Sequence, residues 1–230
     1  MTNGNPYVTR QLFSFFRELK QNNTRIWFQD NKQRYETEVR EPLLQFISDF
    51  GPILKRISPN LIADTARAGG SLFRIHRDVR FAKDKTPYKT GAGIHFRHAQ
   101  GKDVHAPGYY LHLEPSGVFA GAGIWQPDTQ ALNHIRQAIV TNPARWKKII
   151  AKKRKLPISL WEGERLKRAP RGFDPDHPLL EDLKRKDFIL STNFTQKAVC
   201  ADDFVKLFEQ LCRETADFMQ FLTEALGLEW

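Results

Sequence analysis

Apolar side chains recur with helical spacing through the first third of the chain. Leu12, Phe15, Phe16 and Leu19 fall at i, i+3, i+4 and i+7, which is one face of a helix. Asn22-Asn23 break the pattern, and a second helix is expected to start near Thr24 and carry Trp27, Phe28, Tyr35 and Val39. Pro42 suits the first turn of a third helix, where a missing N–H forfeits no bond. That helix is expected to bury Leu43, Phe46, Ile47, Phe50 and Leu54, with Gly51-Pro52 kinking or interrupting it.

The period then changes. Gly69-Gly70 punctuate a turn, and the following runs read as strands near 71–81, 91–97, 108–114 and 117–125, the last two joined across Glu114-Pro115-Ser116-Gly117 as a hairpin. Residues 91–94 and 121–124 both spell GAGI, small residues that permit a bulge or a close backbone approach. Helical signals return at Asn142-Pro143, a cap followed by Pro at the first helical position. A further strand is expected over Asp187–Phe194. From Asp202 onward Phe204, Leu207, Phe208, Leu211, Phe218 and Leu222 form one apolar stripe. The expectation is an α+β fold with N-terminal helices, a central, mainly antiparallel sheet of four to six strands, and C-terminal helices. One compact unit is expected over 1–230, helical in 1–68, sheet in 69–126 and mainly helical in 127–230.

Composition supports a packed core. The 230 residues are 40% hydrophobic and include 17 Phe and 5 Trp, too much apolar surface for a disordered chain. Two cysteines make no disulfide scaffold, so Cys200 and Cys212 read as reduced thiols of a cytoplasmic protein. No apolar run approaches the ~18 residues of a membrane span, and the first twenty residues lack the pattern of a signal peptide. A soluble protein with no membrane association is therefore expected.

The net charge of +10 is unevenly placed. Residues 74–102 carry eight basic against two acidic side chains and 144–172 carry eleven against two, whereas 173–230 carry six against twelve. Charge in blocks of this kind steers anions. The stretch from Arg145 to Lys155, with Trp146 and Trp161 near, reads either as a phosphate-tracking surface or as a solvated helix face.

The most informative segment runs from Leu72 to Lys89. As a strand it places Phe73, Ile75, Val79 and Phe81 on one face and Arg74, His76, Asp78 and Arg80 on the other. Arg77 lands among the apolar side chains, where it needs Asp78, another carboxylate or a bound anion as partner. The segment RIHRDVRFAKDKTPYK resembles the signature R-x-x-R-D-x-R-F-x-x-D-K-x-x-Y of a widespread bacterial family of unknown function. It is met here by Arg74, Arg77, Asp78, Arg80, Phe81, Asp84, Lys85 and Tyr88. The flanking blocks LFSFFRELKQNNTRIWFQDNKQRY and APRGFDPDHP are similar to that family too. The resemblance implies no activity, catalytic residue or cofactor.

Chemically, the segment gathers guanidinium and ammonium groups around two carboxylates and a phenol. Arg offers a planar, permanently charged fork suited to phosphate. The expected site is an anion-recognition site in which Arg74, Arg77, Arg80, Lys85 and Lys89 contact a phosphate-bearing small molecule or nucleic acid, and Asp78 and Asp84 orient them. Two alternatives stand beside it. One is an enzyme acting on a phosphorylated or nucleotide substrate, with His76, Asp78 or Tyr88 moving a proton. The other is a structural or adaptor protein whose motif is a salt-bridge network holding a turn.

Other chemistries have little support. His95 and His98 are three apart, which splits them across a strand, and with His105 and His112 they lack the spacing of a metal site. Asp78 and Glu114 sit on expected strands, but the Glu-x-Lys spacing of carboxylate nucleases is missing. No P-loop, dinucleotide fingerprint or nucleophile elbow is present, so no cofactor is expected.

Overall fold

The computed structural model describes residues 7–101 and 105–230. Helix α1 (Arg10–Gln21) buries Leu12, Phe13, Phe15, Phe16 and Leu19 and ends at Asn22, whose side-chain amide donates to the Glu18 carbonyl. Thr24 caps α2 (Arg25–Asp30), its hydroxyl accepting from the Trp27 N–H. The expected second helix is divided, because α3 (Lys32–Tyr35) passes into a π turn over Glu36–Arg40 that leads directly into α4 (Glu41–Ile57). Pro42 has no N–H for the Glu38 carbonyl, and the chain turns wider just before it, the Glu41 N–H reaching the Glu36 carbonyl. Of the kink or interruption expected at Gly51-Pro52, the interruption does not occur, and α4 runs through both residues. Pro52 lies on the exposed face, where water can satisfy the carbonyl it leaves free.

The sheet contains β1 (Ala92–Arg97), β2 (Gly108–Glu114), β3 (Gly117–Ile124), β4 (Ser159–Leu160) and β5 (Phe188–Phe194) in the order β1-β2-β3-β5-β4, every pair antiparallel. The fold is α+β, with helices before and after the sheet. Alternation gives the sheet two unlike faces. Ile94, Phe96, Tyr109, Leu111, Leu113, Val118 and Ala120 are buried in one cluster with α1, α4 and α9 (Phe204–Glu214). Phe50 lies 5.3 Å from Phe96 and 5.1 Å from Phe208 across this layer. Farther along the same face, Ile124, Phe188 and Leu190 meet α5 (Thr129–Thr141), α6 (Pro143–Ala151) and α10 (Ala216–Ala225) around Trp146. The apolar stripe expected from Asp202 onward is divided between two helices at Thr215, whose hydroxyl donates back to the Leu211 carbonyl. The short helices α7 (Leu180–Leu183) and α8 (Gln196–Val199) flank β5.

The strand expected over 71–81 is not formed. Residues 71–73 add only to the edge of β1, through the Phe73 N–H to the Gly93 carbonyl and the His95 N–H to the Ser71 carbonyl. The chain then doubles back, with Arg77 N–H on the Pro87 carbonyl and Lys89 N–H on the Ile75 carbonyl. The tip between these bonds is held by its own side chains. Asp78 accepts the Arg80 N–H, Asp84 accepts the Thr86 N–H, and Lys85 Nζ donates to the Val79 carbonyl. These local bonds take backbone groups that a ladder would need. Phe81, expected on an apolar face, is 96% exposed.

The two charge blocks meet. Arg145 pairs with Glu224 at 2.6 Å, Lys152 with Asp217 at 2.9 Å, and Arg154 donates to the carbonyls of Ile149, Lys152 and Glu214. Part of the basic 144–172 stretch is therefore turned onto the acidic C-terminal helix. No helix among the described residues is long and apolar enough to cross a membrane.

Candidate functional site

A cleft of about 520 Å³ opens between the 73–91 segment and the outer face of β1 and β2. Its floor follows from strand alternation. With Tyr109, Leu111 and Leu113 committed to the core, Tyr110, His112 and Glu114 must point the other way. The glycines of the first GAGI make room for them. A Cβ at Gly93 would stand 2.6 Å from the Tyr110 hydroxyl, and one at Gly91 would stand 2.8 Å from the Glu114 Cβ.

The floor residues form a hydrogen-bonded chain. Tyr110 Oη lies 3.0 Å from His112 Nδ1, and His112 Nε2 lies 3.2 Å from Glu114 Oε2. Thr90 donates to Glu114 Oε1 at 2.7 Å. Phe119 stacks on the imidazole with ring centres 4.7 Å apart. Burial alone would raise the Glu114 carboxyl. The hydrogen bonds from Thr90 and His112 outweigh it and hold Glu114 below the usual carboxylate range. Burial first, and the Glu114 charge second, push the Tyr110 phenol up to about 12.

The opposite wall comes from the returning segment. Asn23 grips Tyr88 through both its backbone N–H and its carbonyl, at 3.1 and 2.9 Å. The Tyr88 ring, 3% exposed, stacks on Phe28 at 4.1 Å. Lys89 follows. Its ammonium sits 5.4 Å from the centre of the Phe73 ring and has no hydrogen bond or carboxylate partner among the described residues. Burial, and then the charge of Arg74, hold this ammonium below the ordinary lysine range. Arg77 also lines the cleft, its Nη1 donating to Asp84 and to the Thr86 hydroxyl. The Thr86 N–H first, then Arg77, bring the Asp84 carboxyl to about 2. Lys20, from the end of α1, completes the rim.

The structure therefore divides the residues singled out from the sequence. Arg77, Asp84, Tyr88 and Lys89 line the cleft, whereas Arg74, His76, Asp78, Arg80 and Lys85 do not. Asp84 meets the need for a carboxylate opposite Arg77, and Asp78 instead pairs with Arg80 at 2.7 Å on the exposed tip. Hydrogen bonds from the Arg80 guanidinium first, and from its backbone N–H second, bring the Asp78 carboxyl to about 2. His76 is exposed, its ring 5.2 Å from that of Tyr88. Sequence reasoning missed Lys20, Thr90, Tyr110, His112 and Glu114 as one constellation. The signal was present: a polar or ionisable side chain at every second position of an otherwise apolar strand, Tyr110-x-His112-x-Glu114, must share one face.

No protein of curated function matches the chain. The family model of the conserved hypothetical proteins DUF2461 matches residues 11–221, nearly the whole chain, and the protein belongs to that family.

Proposed function

We propose that the cleft recognises the phosphate group of a small phosphorylated ligand. The observation that carries this reading is Lys89: a half-buried ammonium with no counter-charge, at the wall of a cleft, is costly unless something anionic visits it. Arg77 supports the same reading. Asp84 and Thr86 hold one edge of its guanidinium, while Nε and Nη2 keep no partner among the described residues. Lys20 adds a third cation, and the Tyr88 hydroxyl a donor without a partner among those residues. A volume of about 520 Å³ suits a small molecule or a single nucleotide unit.

In this reading the motif has two parts. Arg77, Tyr88 and Lys89 meet the ligand, with Asp84 orienting Arg77. Arg80, Asp78 and Lys85 brace the tip, which is the role a salt-bridge network would have. Titration calorimetry with inorganic phosphate, a nucleoside monophosphate and a short oligonucleotide tests this. Lys89→Met should weaken binding by roughly 10–150-fold, the worth of one charged hydrogen bond, and Arg80→Ala should spare it. Equal losses in the two variants, or unchanged affinity in Lys89→Met, would refute the assignment. Preference for the oligonucleotide would move the reading to nucleic acid, with Lys and Arg outside the cleft contributing to its salt dependence.

A further inference from the structure

We infer that Tyr110 is a nucleophile, activated by His112 and Glu114, that takes the phosphoryl group of a phosphate ester bound in the cleft. This inference rests on the phosphate-binding reading of the same cleft. Its own warrant is the order of the hydrogen-bonded chain on the floor. A hydroxyl lies within hydrogen-bond reach of an imidazole, and a carboxylate holds the imidazole's other nitrogen. That order of hydroxyl, base and orienting acid is the signature of an activated nucleophile, and tyrosine is among the side chains that form covalent intermediates.

The direction of the protons follows from the same contacts. Glu114 is held ionised, so His112 Nε2 donates to it. In the neutral imidazole Nδ1 is then the acceptor, and the hydrogen of Tyr110 Oη points to it. The lone pairs of Oη are left for the cleft that Tyr110 lines. The imidazole cannot easily swing away, because Phe119 stacks on it and Thr90 fixes the carboxylate that holds its Nε2. Burial and the nearby negative charge make the phenol reluctant to ionise alone, which is why a base in contact matters.

The step balances as follows. The Oη–P bond forms as the ester P–O bond breaks. The phenol proton passes to His112 Nδ1, and the leaving alkoxide takes a proton from the Lys89 ammonium and departs as an alcohol. Water then attacks phosphorus and the Oη–P bond breaks. The imidazolium returns its proton to Oη, and the proton lost by water restores Lys89. Glu114, Thr90 and Phe119 are positioning residues, since none of them meets the reacting atoms.

The test uses p-nitrophenyl phosphate and bis(p-nitrophenyl) phosphate on the intact protein, the two probes separating monoester from diester substrates. Release of nitrophenolate by the wild type, with a phosphorylated Tyr110 peptide found by mass spectrometry after acid quench, is the expected result. Tyr110→Phe should abolish both while phosphate binding and the near-UV circular dichroism persist. His112→Gln should slow release by about a hundredfold or more, the scale of a lost general base, and Glu114→Gln should shift the pH profile of release. Nitrophenolate leaves without needing a proton, so the loss on Lys89→Arg should be larger with an alkyl phosphate than with the nitrophenyl esters. Phosphate binding without any release overturns the nucleophile and leaves the binding site standing. Release unaffected by Tyr110→Phe overturns it equally, and absence of phosphate binding overturns both.

Discussion

Lys89→Met offers the sharpest separation of binding from folding. Methionine keeps the unbranched stem and nearly the same volume, so packing beside Phe73 survives. The cation–π contact at 5.4 Å is lost, worth about 0.5–1 kcal/mol, and a sulfur–aromatic contact of similar size replaces it. What remains is relief of an ammonium that is half-buried without a counter-charge. Removing such a functionally placed charge typically stabilises by roughly 0.5–2 kcal/mol. For a chain of this size that raises Tm by about 1–8 °C. The same substitution removes a charged hydrogen bond to phosphate, about 1.5–3 kcal/mol, or roughly 10–150-fold in affinity. The pH dependence has a definite sign. Because the folded-state pKa lies below the ordinary 10.5, the unfolded chain binds more protons between the two values. The cost to the wild type is full below the folded value and fades as pH rises toward 10.5, so the Tm advantage of Lys89→Met should shrink over that interval. Thermal unfolding from neutral pH to above 10, with and without phosphate, measures all of this. A variant that is less stable than wild type at neutral pH, yet binds phosphate normally, would refute the reasoning.

Four further outcomes are expected. Asp84 has a folded-state pKa of about 2 against an ordinary 3.8, so its contribution to ordering the tip is present above about 3.8 and lost as pH falls toward 2. Amide exchange at Thr86 should accelerate across that window in the wild type and be fast throughout in Asp84→Asn; an unchanged acid profile in the variant would contradict this. Gly93→Ala forces a Cβ to within 2.6 Å of Tyr110 Oη, so the tyrosine must move off His112, and a nitrophenolate assay should show loss of release at nearly native Tm. Trp146→Ala empties a fully buried site and removes the indole N–H that Asp182 accepts at 2.8 Å, so denaturant unfolding should register a loss of about 3–5 kcal/mol. Phe81→Ala should change stability by less than about 0.5 kcal/mol, because the ring is almost fully exposed.

The N-terminal helices, α6, the C-terminal helical stripe and four of the five sheet strands were legible because their signals are local, whereas α5, α7 and α8 were not singled out. Apolar positions at three and four residues mark α1, α4 and α9, and the two-residue connection at Pro115-Ser116 joins β2 to β3. The two-residue strand β4 is too short for any period to show. The failures have equally local causes acting against a period. Alternation over 71–81 suggested a strand, but Asp78, Asp84 and Lys85 satisfy the backbone within the tip and so prevent a ladder. Thr215 broke a stripe that otherwise ran through the C-terminal helices. Pro52, a breaker by rule, was tolerated because it faces solvent.

The sequence alone determined that this is a helix–sheet–helix chain and that cations collect beside carboxylates near residues 74–89. Periodicity and composition act along the chain, and both can be read without knowing what lies opposite. Which cations are free is a different matter, because partners come from distant positions. Glu224 and Asp217 take Arg145 and Lys152, Asp78 takes Arg80, and Lys89 is left with none among the described residues. The cleft likewise exists only because β2 turns Tyr110, His112 and Glu114 toward a segment that returns over Gly91 and Gly93. Burial and pairing are properties of the folded surface, and tertiary structure decided them.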